Sequence, residues 1–476
     1  MKDLRERAIR GASARICAQA ASFIVRIGSL MVLARLLDPR DFGLVGMVTA
    51  VTGILDLFRD FGLSTASVQR AEVTEEQYST LFWVNLLVGG VLSVFALALA
   101  PILGAFYHQP QLFWITSVVA LSFVLNAAGA QHSALLQRQM RFGALAVIDI
   151  VSLLLSTGLA IGMAIAGFGY WALVMNIVSR PLTFTLGMWL ATKWVPGIPR
   201  RAIGIRSMIR FGGTITLNGI VLYIAFNFQQ VLLGRFWGAD ALGIYGRASQ
   251  LIGIPVDNLN SAVGAVAFAA LSRIQDDPER FKRYFLKGYS VVVALTLPAT
   301  IGCAIFSDDL IFVLLGPKWM DAAEIFRILA PTIMVFAIAN PLGWLLTSLG
   351  LVDRALKIAL VFAPLVMIGS AIGLPYGPRG VAIAYSVVMT IGIVPITVWS
   401  VHGTVIRVAD ILLALSRPLA SSLVAAVVAF GFHLLYGPLL VPLPRLLLEV
   451  SVFGATYLGL LLFVAGQKSF YLDLLR

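Results

Sequence analysis

The chain has 476 residues, of which 59% are hydrophobic and only 12% charged, and its mean hydropathy is +0.92. Soluble domains are roughly 45–50% apolar and about 25% charged, and no globular core can bury this much apolar surface. The composition excludes a soluble protein and predicts an all-α integral membrane protein, whose net charge of +12 reflects cytoplasmic loops rather than nucleic-acid binding.

Apolar runs of about 20 residues, the length that crosses the hydrocarbon core of a bilayer, recur along the whole chain. The first run follows a charged N-terminus and is interpreted as a retained span rather than a signal peptide. The runs predict about fourteen transmembrane helices, near 15–36, 42–63, 79–105, 112–136, 143–166, 169–192, 211–234, 242–271, 285–306, 322–347, 356–376, 380–401, 411–436 and 446–466.

The loop charges agree with this register. With the N-terminus inside, 24 of the 35 Lys and Arg lie on the cytoplasmic side and seven on the other side. Such a bias over short loops is typical of multi-pass membrane proteins. The even number of spans then predicts that both termini are cytoplasmic.

Two segments of the chain repeat at a constant shift of 200 residues. Residues 34–46 read ARLLDPRDFGLVG and residues 234–246 read GRFWGADALGIYG, so that Arg35, Gly43, Gly46 and Gly53 match Arg235, Gly243, Gly246 and Gly253. Six spans separate the copies, and an even number predicts two parallel halves. The predicted organisation is a six-helix lobe at 1–192, a basic cytoplasmic linker at 193–210, a second six-helix lobe at 211–401 and two additional helices at 402–476.

No sequence motif for catalysis or for a cofactor is present. There is no phosphate-binding loop of the G-x-x-x-x-G-K-[ST] type, and the four histidines are scattered, so we expect no metal and no cofactor. The longest predicted outer loop, 307–321, holds Asp308 and Asp309 and is interpreted as a charged turn at the membrane surface. We therefore expect a transporter rather than an enzyme.

Charges inside predicted spans are costly in hydrocarbon and usually face a protein interior or a wet cavity. Arg26, Arg59 and Arg247 lie in the first, second and eighth spans, and Asp149 and Arg180 lie in the fifth and sixth. Alternative interpretations remain open. The side chains near span ends could snorkel to lipid headgroups, as for Arg59, Arg180 and Arg247. Asp149 could form a hydrogen bond between helices.

Amide side chains are concentrated in spans seven and eight, among them Asn227, Gln230, Gln250 and Asn258. Each has the alternative of joining helices rather than binding a ligand. If spans 1, 2, 7 and 8 line a central path, the path carries fixed arginines, which bind phosphate oxygens in bidentate fashion. An anionic cargo with a diphosphate is therefore expected.

Two motifs carry a family resemblance. DFGLVGMVTAVTGILDLFRDFGLSTASVQR (41–70) and LLGPKWMDAAEIFRILAP (314–331) resemble the Wzx-type polysaccharide transporter (PST) family of the MOP superfamily. The chain is similar above all to the branch of colanic acid and succinoglycan exporters. The resemblance implies a V-shaped pair of six-helix lobes, alternating access and cavity arginines in the first, second and eighth spans, here Arg26, Arg59 and Arg247.

The leading hypothesis is a flippase of the bacterial inner membrane. By the resemblance, it moves undecaprenyl-diphosphate-linked oligosaccharide repeats to the periplasmic leaflet for exopolysaccharide, capsule or lipopolysaccharide O-antigen synthesis, beside a polymerase and a chain-length regulator. One alternative is a MATE-like cation-coupled multidrug exporter, which should have an acidic or aromatic cavity. Another is a membrane saccharide polymerase or ligase, which short outer loops disfavour.

Overall fold

A computed structural model describes residues 2–58, 75–198, 205–437, 440–464 and 466–467. Side chains are described over these ranges from residue 19 onward, except at 205–218, 255, 257–263, 265–266 and 269. The described residues form fifteen α-helices and no β-strand. The helices are α1 Lys2–Leu36, α2 Pro39–Asp56, α3 Glu75–Tyr107, α4 Gln111–Arg138, α5 Phe142–Ile165, α6 Tyr170–Thr192, α7 Ile205–Arg273, α8 Pro278–Ile305, α9 Ser307–Leu314, α10 Met320–Leu329, α11 Pro331–Ser348, α12 Val352–Gly373, α13 Gly377–Val401, α14 Val408–Tyr436 and α15 Pro442–Gly459.

The all-helical membrane fold is confirmed, whereas the count of fourteen spans is not. By length and composition, the described residues contain eleven helical segments able to cross a membrane. One of these segments, Val352–Val401, contains both α12 and α13, and another, Gly219–Ile254, contains a break within α7. The difference arises partly because each of these two segments contains helical residues from two predicted spans and is counted once.

The break within α7 lies at Gly238, whose φ of 83° and ψ of −174° are not helical. Glycine adopts this conformation at little steric cost because it has no Cβ atom. Asp38, exactly one repeat length of 200 residues earlier, lies in the turn between α1 and α2. The chain therefore bends at the same position in both copies of the repeated segment.

Two further boundaries differ from those predicted. The predicted span at 322–347 is divided into α10 and α11, because Pro331 has no N–H to continue the hydrogen-bond ladder of α10. The predicted outer loop at 307–321 is helical over Ser307–Leu314. The charged residues of this segment therefore belong to a helix, and one of them, Asp309, is buried.

The chain forms two compact units, Met1–Gly243 and Ile244–Arg476. In the first unit, α3 packs on α4, α4 and α5 pack on α6, and α1 packs on α5. Small residues bring these helices close together: a Cβ atom added at Gly89 of α3 would lie 2.5 Å from the Cβ of Ala127 on α4. Such close packing of small residues is a common source of helix association in membranes.

In the second unit, α12 packs on α13, and α8 packs against both α11 and α14. The last two helices, α14 and α15, form a hairpin whose core contains Ala425, Ala429, Phe453 and Tyr457. The Tyr457 hydroxyl donates a hydrogen bond of 2.6 Å to the Ala294 carbonyl of α8. The hairpin is thereby fixed to the rest of the second unit. The lobe boundaries predicted from the repeat remain a prediction.

Within the first unit, α2 crosses α7 through a reciprocal pair of glycine contacts. A Cβ atom added at Gly43 would lie 1.7 Å from the Ala239 carbonyl oxygen, and one added at Gly243 would lie 1.9 Å from the Pro39 carbonyl oxygen. A shift of 200 residues converts one contact into the other with the partners exchanged. Such exchange is the signature of a two-fold relationship and supports the internal repeat.

Candidate functional site

Arg26 lies on the face of α1 that is directed into the first unit. Ser22 and Leu30, one turn before and one turn after it on the same stripe of the helix, are 3% and 8% exposed. Arg26 itself is exposed and makes no hydrogen bond or ion pair within the part of the chain that the structure describes. An exposed arginine on an otherwise buried stripe faces an open space beside α1 rather than a packed helix.

Two other charged residues lie near Arg26. Asp149 of α5 accepts a hydrogen bond of 3.1 Å from Nη2 of Arg180 on α6, and both side chains are more than one third exposed. The charges of Arg180 and Asp149 both act on the Arg26 guanidinium, the first by repulsion and the second by attraction. Three helices therefore bring two arginines to one aspartate, and we call these residues the Arg26 cluster.

The Arg26 cluster has an excess of positive charge and of hydrogen-bond donors. Its formal charge is +1, and Arg180 donates to no other described residue than Asp149. A guanidinium carries five N–H donors, so most donors of the two arginines are available to a ligand. Charge inside spanning helices is costly unless it is paired or hydrated. The cluster is therefore suited to an anion with several oxygen atoms.

A cavity of about 230 Å³ adjoins this cluster and has a partly polar lining. Asp149 belongs to the cluster and also lines the cavity, and Gln19 of α1 and Gln137 of α4 add amide groups to the cavity wall. Gln19 lies seven residues before Arg26, which places both on the same face of α1. The cavity wall thus combines amide groups with the aspartate that binds Arg180.

The predicted amides of α7 lie beside its contact with α2. Tyr223 donates its hydroxyl to the Thr49 and Ala50 carbonyls of α2, at 3.1 and 3.2 Å. One turn later, the Asn227 amide donates to the Tyr223 carbonyl at 2.9 Å, and Gln230 donates to the Asn227 side chain at 3.3 Å. The structure therefore brings Asn227 and Gln230 together as a pair of partly buried amides.

In the second unit, Arg247 and Gln250 also form a pair, in which the Arg247 guanidinium donates to the Gln250 side-chain carbonyl. Two of the predicted site residues cannot be placed in this way. Arg59 lies outside the described residues, and the side chain of Asn258 lies outside the described side chains. The predicted roles of Arg59, Arg247, Gln250 and Asn258 stay predictions.

Sequence reasoning singled out Asp149 and Arg180 as charges within spans but did not assign them to the site. The signal was present, because each lies within an apolar run, but the pairing of α5 with α6 was needed to show their proximity. The acidic residues at 308 and 309 have a different role. Arg327 binds Asp308 at 2.5 Å, and Arg445 binds both oxygens of Asp309. Both carboxylates are thus occupied by structural ion pairs.

Comparison with known proteins gives the following similarities. A family model described as "polysaccharide biosynthesis protein" matches residues 32–324, more than half of the chain. The lipopolysaccharide biosynthesis protein WzxC of Escherichia coli K12 is 28% identical over 400 residues, which are 82% of this chain and 80% of WzxC. The succinoglycan biosynthesis transport protein ExoT of Rhizobium meliloti 1021 is 26% identical over 319 residues, which are 66% of this chain and 64% of ExoT.

Two solved structures share the fold. The lipid II flippase MurJ, in an inward closed conformation, has a TM-score of 0.75 at 16% identity, and the match covers 98% of this chain and 100% of MurJ. An inward-facing MATE-family multidrug resistance transporter of the MOP superfamily has a TM-score of 0.66 at 15% identity, and the match covers 80% of this chain and 93% of the transporter. At these identities the similarity concerns the fold alone.

Proposed function

Because the chain belongs to the polysaccharide biosynthesis protein family, we propose that it flips undecaprenyl-diphosphate-linked oligosaccharide repeat units from the cytoplasmic to the periplasmic leaflet. The resemblance to Wzx-type transporters is confirmed by the family match and by the relatives. The chain is a multi-pass membrane transporter rather than an enzyme, and its substrate is a lipid-linked saccharide. The proposal adds the undecaprenyl diphosphate, the direction of transport and alternating access as the mechanism.

The Arg26 cluster is the observation that carries the proposal. A diphosphate offers several charged oxygens, and two arginines with available donors match them in charge and in bidentate geometry. In this mechanism, Arg26 and Arg180 bind the diphosphate, while the amides of Gln19 and Gln137 contact the first sugars. The lipid tail stays in the bilayer, so that only the polar part of the cargo crosses the protein.

Other predicted residues keep their proposed roles and are to be tested separately. Asn227 and Gln230 would bind sugar hydroxyls, as would Gln250 and Asn258. Arg59 and Arg247 would bind the diphosphate in the course of transport. Each of these assignments rests on the family resemblance and on the residue type, since amides hydrogen-bond hydroxyls and guanidinium groups bind phosphates.

The MATE-like alternative agrees with the fold but not with the positive charge of the Arg26 cluster. An organic cation would be repelled by a cluster with two arginines and one aspartate, and the relatives named after transport or polysaccharide synthesis point to a saccharide. We further propose that both termini are cytoplasmic, that the membrane is the bacterial inner membrane, and that a polymerase and a chain-length regulator act on the flipped product.

Substitution of Asp149 tests whether the cluster binds a diphosphate. In Asp149→Asn, the carboxylate no longer competes for Arg180, so that the formal charge of the cluster rises from +1 to +2. We expect the purified variant to bind undecaprenyl diphosphate about tenfold more tightly, equivalent to ~1.4 kcal/mol, and to release it more slowly. Binding is measured by native mass spectrometry with the lipid added at increasing concentration. Unchanged affinity in Asp149→Asn would contradict the assignment.

Transport itself is tested with the purified protein in liposomes. A lipid-linked oligosaccharide is placed in both leaflets, and an impermeant glycosidase is added outside. The proposal predicts that the protein makes the inner-leaflet pool accessible to the glycosidase, and that a fluorescent organic cation is not transported. Movement of the cation without movement of the lipid-linked saccharide would favour the MATE-like alternative.

A further inference from the structure

A buried carboxylate lies in the hairpin formed by α14 and α15. Glu449 of α15 is 1% exposed, in a hairpin whose core includes Leu446 and Phe453. An isolated carboxylate in such a place costs several kcal/mol and is normally neutralised or paired. Nothing in the proposed diphosphate site explains why this hairpin contains an acidic residue.

Glu449 has one hydrogen-bond partner among the described residues. Its Oε1 lies 2.7 Å from Nδ1 of His433 on α14, and its Oε2 is buried without a partner. The His433 side chain is 41% exposed, so the imidazole joins the buried carboxylate to the surface of the hairpin. A proton on either group can therefore reach the surface through His433.

The other charged groups near this pair are occupied. Arg445 precedes Glu449 by one turn of α15, but its Nε and Nη2 donate to Asp309 of α9 and its Nη1 donates to the Gly437 carbonyl. The neighbouring Asp308 of α9 is bound by Arg327 of α10. The charge of Arg445 acts on Glu449 without a hydrogen bond, and His433 is the group that is hydrogen-bonded to the carboxylate.

Two further helices pack on the hairpin: the charged residue of α13, Arg379, is paired with Glu324, and α8 carries no charge in its second half. Its charged residues all lie within 278–287, and the ion pair of Lys282 with Asp410, at 2.7 Å, joins the first turns of α8 and α14. Near the end of α8 lies the free thiol of Cys303, and nearer its middle the backbone carbonyl of Ala294 accepts the hydrogen bond of Tyr457.

We propose that His433 and Glu449 form a proton-binding site in the α14–α15 hairpin. One proton shared between Glu449 Oε1 and His433 Nδ1 keeps the pair neutral, either as carboxyl and imidazole or as carboxylate and imidazolium. Loss of this proton to water breaks the O–H or N–H bond and leaves one negative charge buried in the hairpin.

Arg445 is the group that would stabilise the deprotonated state. It lies four residues before Glu449, a spacing at which side chains on one helix meet, and its Nε and Nη2 donate to Asp309 instead. Release of the proton is therefore linked to a change of partner by Arg445, from Asp309 to Glu449. This exchange converts proton loss into a rearrangement between α9 and α15.

The site is tested by pH-difference infrared spectroscopy on the full chain in lipid nanodiscs. The carboxyl and imidazole bands of the shared proton should change together at one pH midpoint, and both changes should be absent in Glu449→Gln. In Asp309→Asn, Arg445 is free to pair with Glu449, and we expect the midpoint to fall by about one pH unit, a tenfold loss of proton affinity. Glu324→Gln, which removes an exposed carboxylate paired with Arg379, should leave the titration unchanged.

The proposal is overturned if the bands titrate at separate midpoints, if Glu449→Gln leaves them unchanged, or if Asp309→Asn has the titration of the unaltered chain. Should Glu449→Gln fail to fold, His433→Gln retains the carboxylate and should abolish the joint titration. Infrared spectra do not depend on transport. A chain that binds the proton but does not flip a saccharide would refute the proposed function and leave this inference intact.

Discussion

Replacement of Arg26 by alanine is expected to lower flipping by about 10- to 100-fold. A hydrogen bond to a charged group contributes about 1.5–3 kcal/mol, and every ~1.4 kcal/mol corresponds to a factor of ten. Arg26 has no hydrogen bond or ion pair to other described residues, so its loss removes little from the folded structure. The measurement is the rate at which a lipid-linked oligosaccharide becomes accessible in liposomes, at equal amounts of reconstituted protein.

Two variants accompany this experiment. Arg26→Lys keeps the charge but not the planar fork that grips two oxygens, and should retain an intermediate rate. Arg280→Ala removes an exposed arginine at the first turn of α8, and should flip at the rate of the unaltered chain. If Arg26→Ala flipped as fast as Arg280→Ala, Arg26 would not be a ligand of the cargo.

Alanine at Gly43 or at Gly243 is expected to remove most of the transport activity. In each variant the new Cβ atom overlaps a backbone carbonyl oxygen, at 1.7 Å from Ala239 or 1.9 Å from Pro39. A backbone oxygen cannot rotate away as a side chain does, so α2 and α7 must separate by more than an ångström. Overpacking of this kind costs typically about 1–3 kcal/mol. The thermal unfolding midpoint of the purified protein and its flipping rate should therefore both fall.

The repeat supplies matched controls for these variants. Gly46 lies one turn after Gly43, and an added Cβ atom there would be 3.6 Å from Leu242, an ordinary contact. Gly246 is its equivalent in the second copy and has nothing within 4 Å of such an atom. Gly46→Ala and Gly246→Ala should therefore behave like the unaltered chain. Equal effects at all four glycines would mean that the close crossing of α2 and α7 is unimportant.

Arg26 could be predicted from the sequence because the cost of a charge in a long apolar run is visible without a structure. Its neighbours could not be identified in the same way. Asp149 and Arg180 are 31 residues apart, and their hydrogen bond depends on how α5 packs on α6. The same is true of His433 and Glu449, which only the α14–α15 hairpin brings together.

The repeat shows both the strength and the limit of pattern reasoning. A constant shift of 200 residues relates Gly43 to Gly243, and it also relates the turn at Asp38 to the bend at Gly238. The sequence pattern does not reveal that each glycine contacts a backbone carbonyl in the other copy of the repeat. That contact depends on where α2 crosses α7, which is a property of tertiary packing.

Helix boundaries were the least predictable part of the fold. Hydropathy locates apolar runs well, but it does not distinguish one long helix with a bend from two helices with a short loop. The predicted separation of 211–234 from 242–271, for example, is a break at the single residue Gly238 rather than a longer loop. Pro331, in contrast, is the first residue of α11 and divides a predicted span, whereas Pro298 and Pro341 lie inside α8 and α11, so a proline alone does not fix a helix boundary.

The central claim is tested most directly in cells from which the protein has been deleted. Intact spheroplasts are treated with a sugar-modifying reagent that cannot cross the membrane, and the modified fraction of the diphosphate-linked oligosaccharides is then measured. We expect the intermediates to accumulate unmodified in the deletion strain and to become accessible when the unaltered protein, but not Arg26→Ala, is restored. Equal modification with and without the protein would contradict its assignment as a flippase.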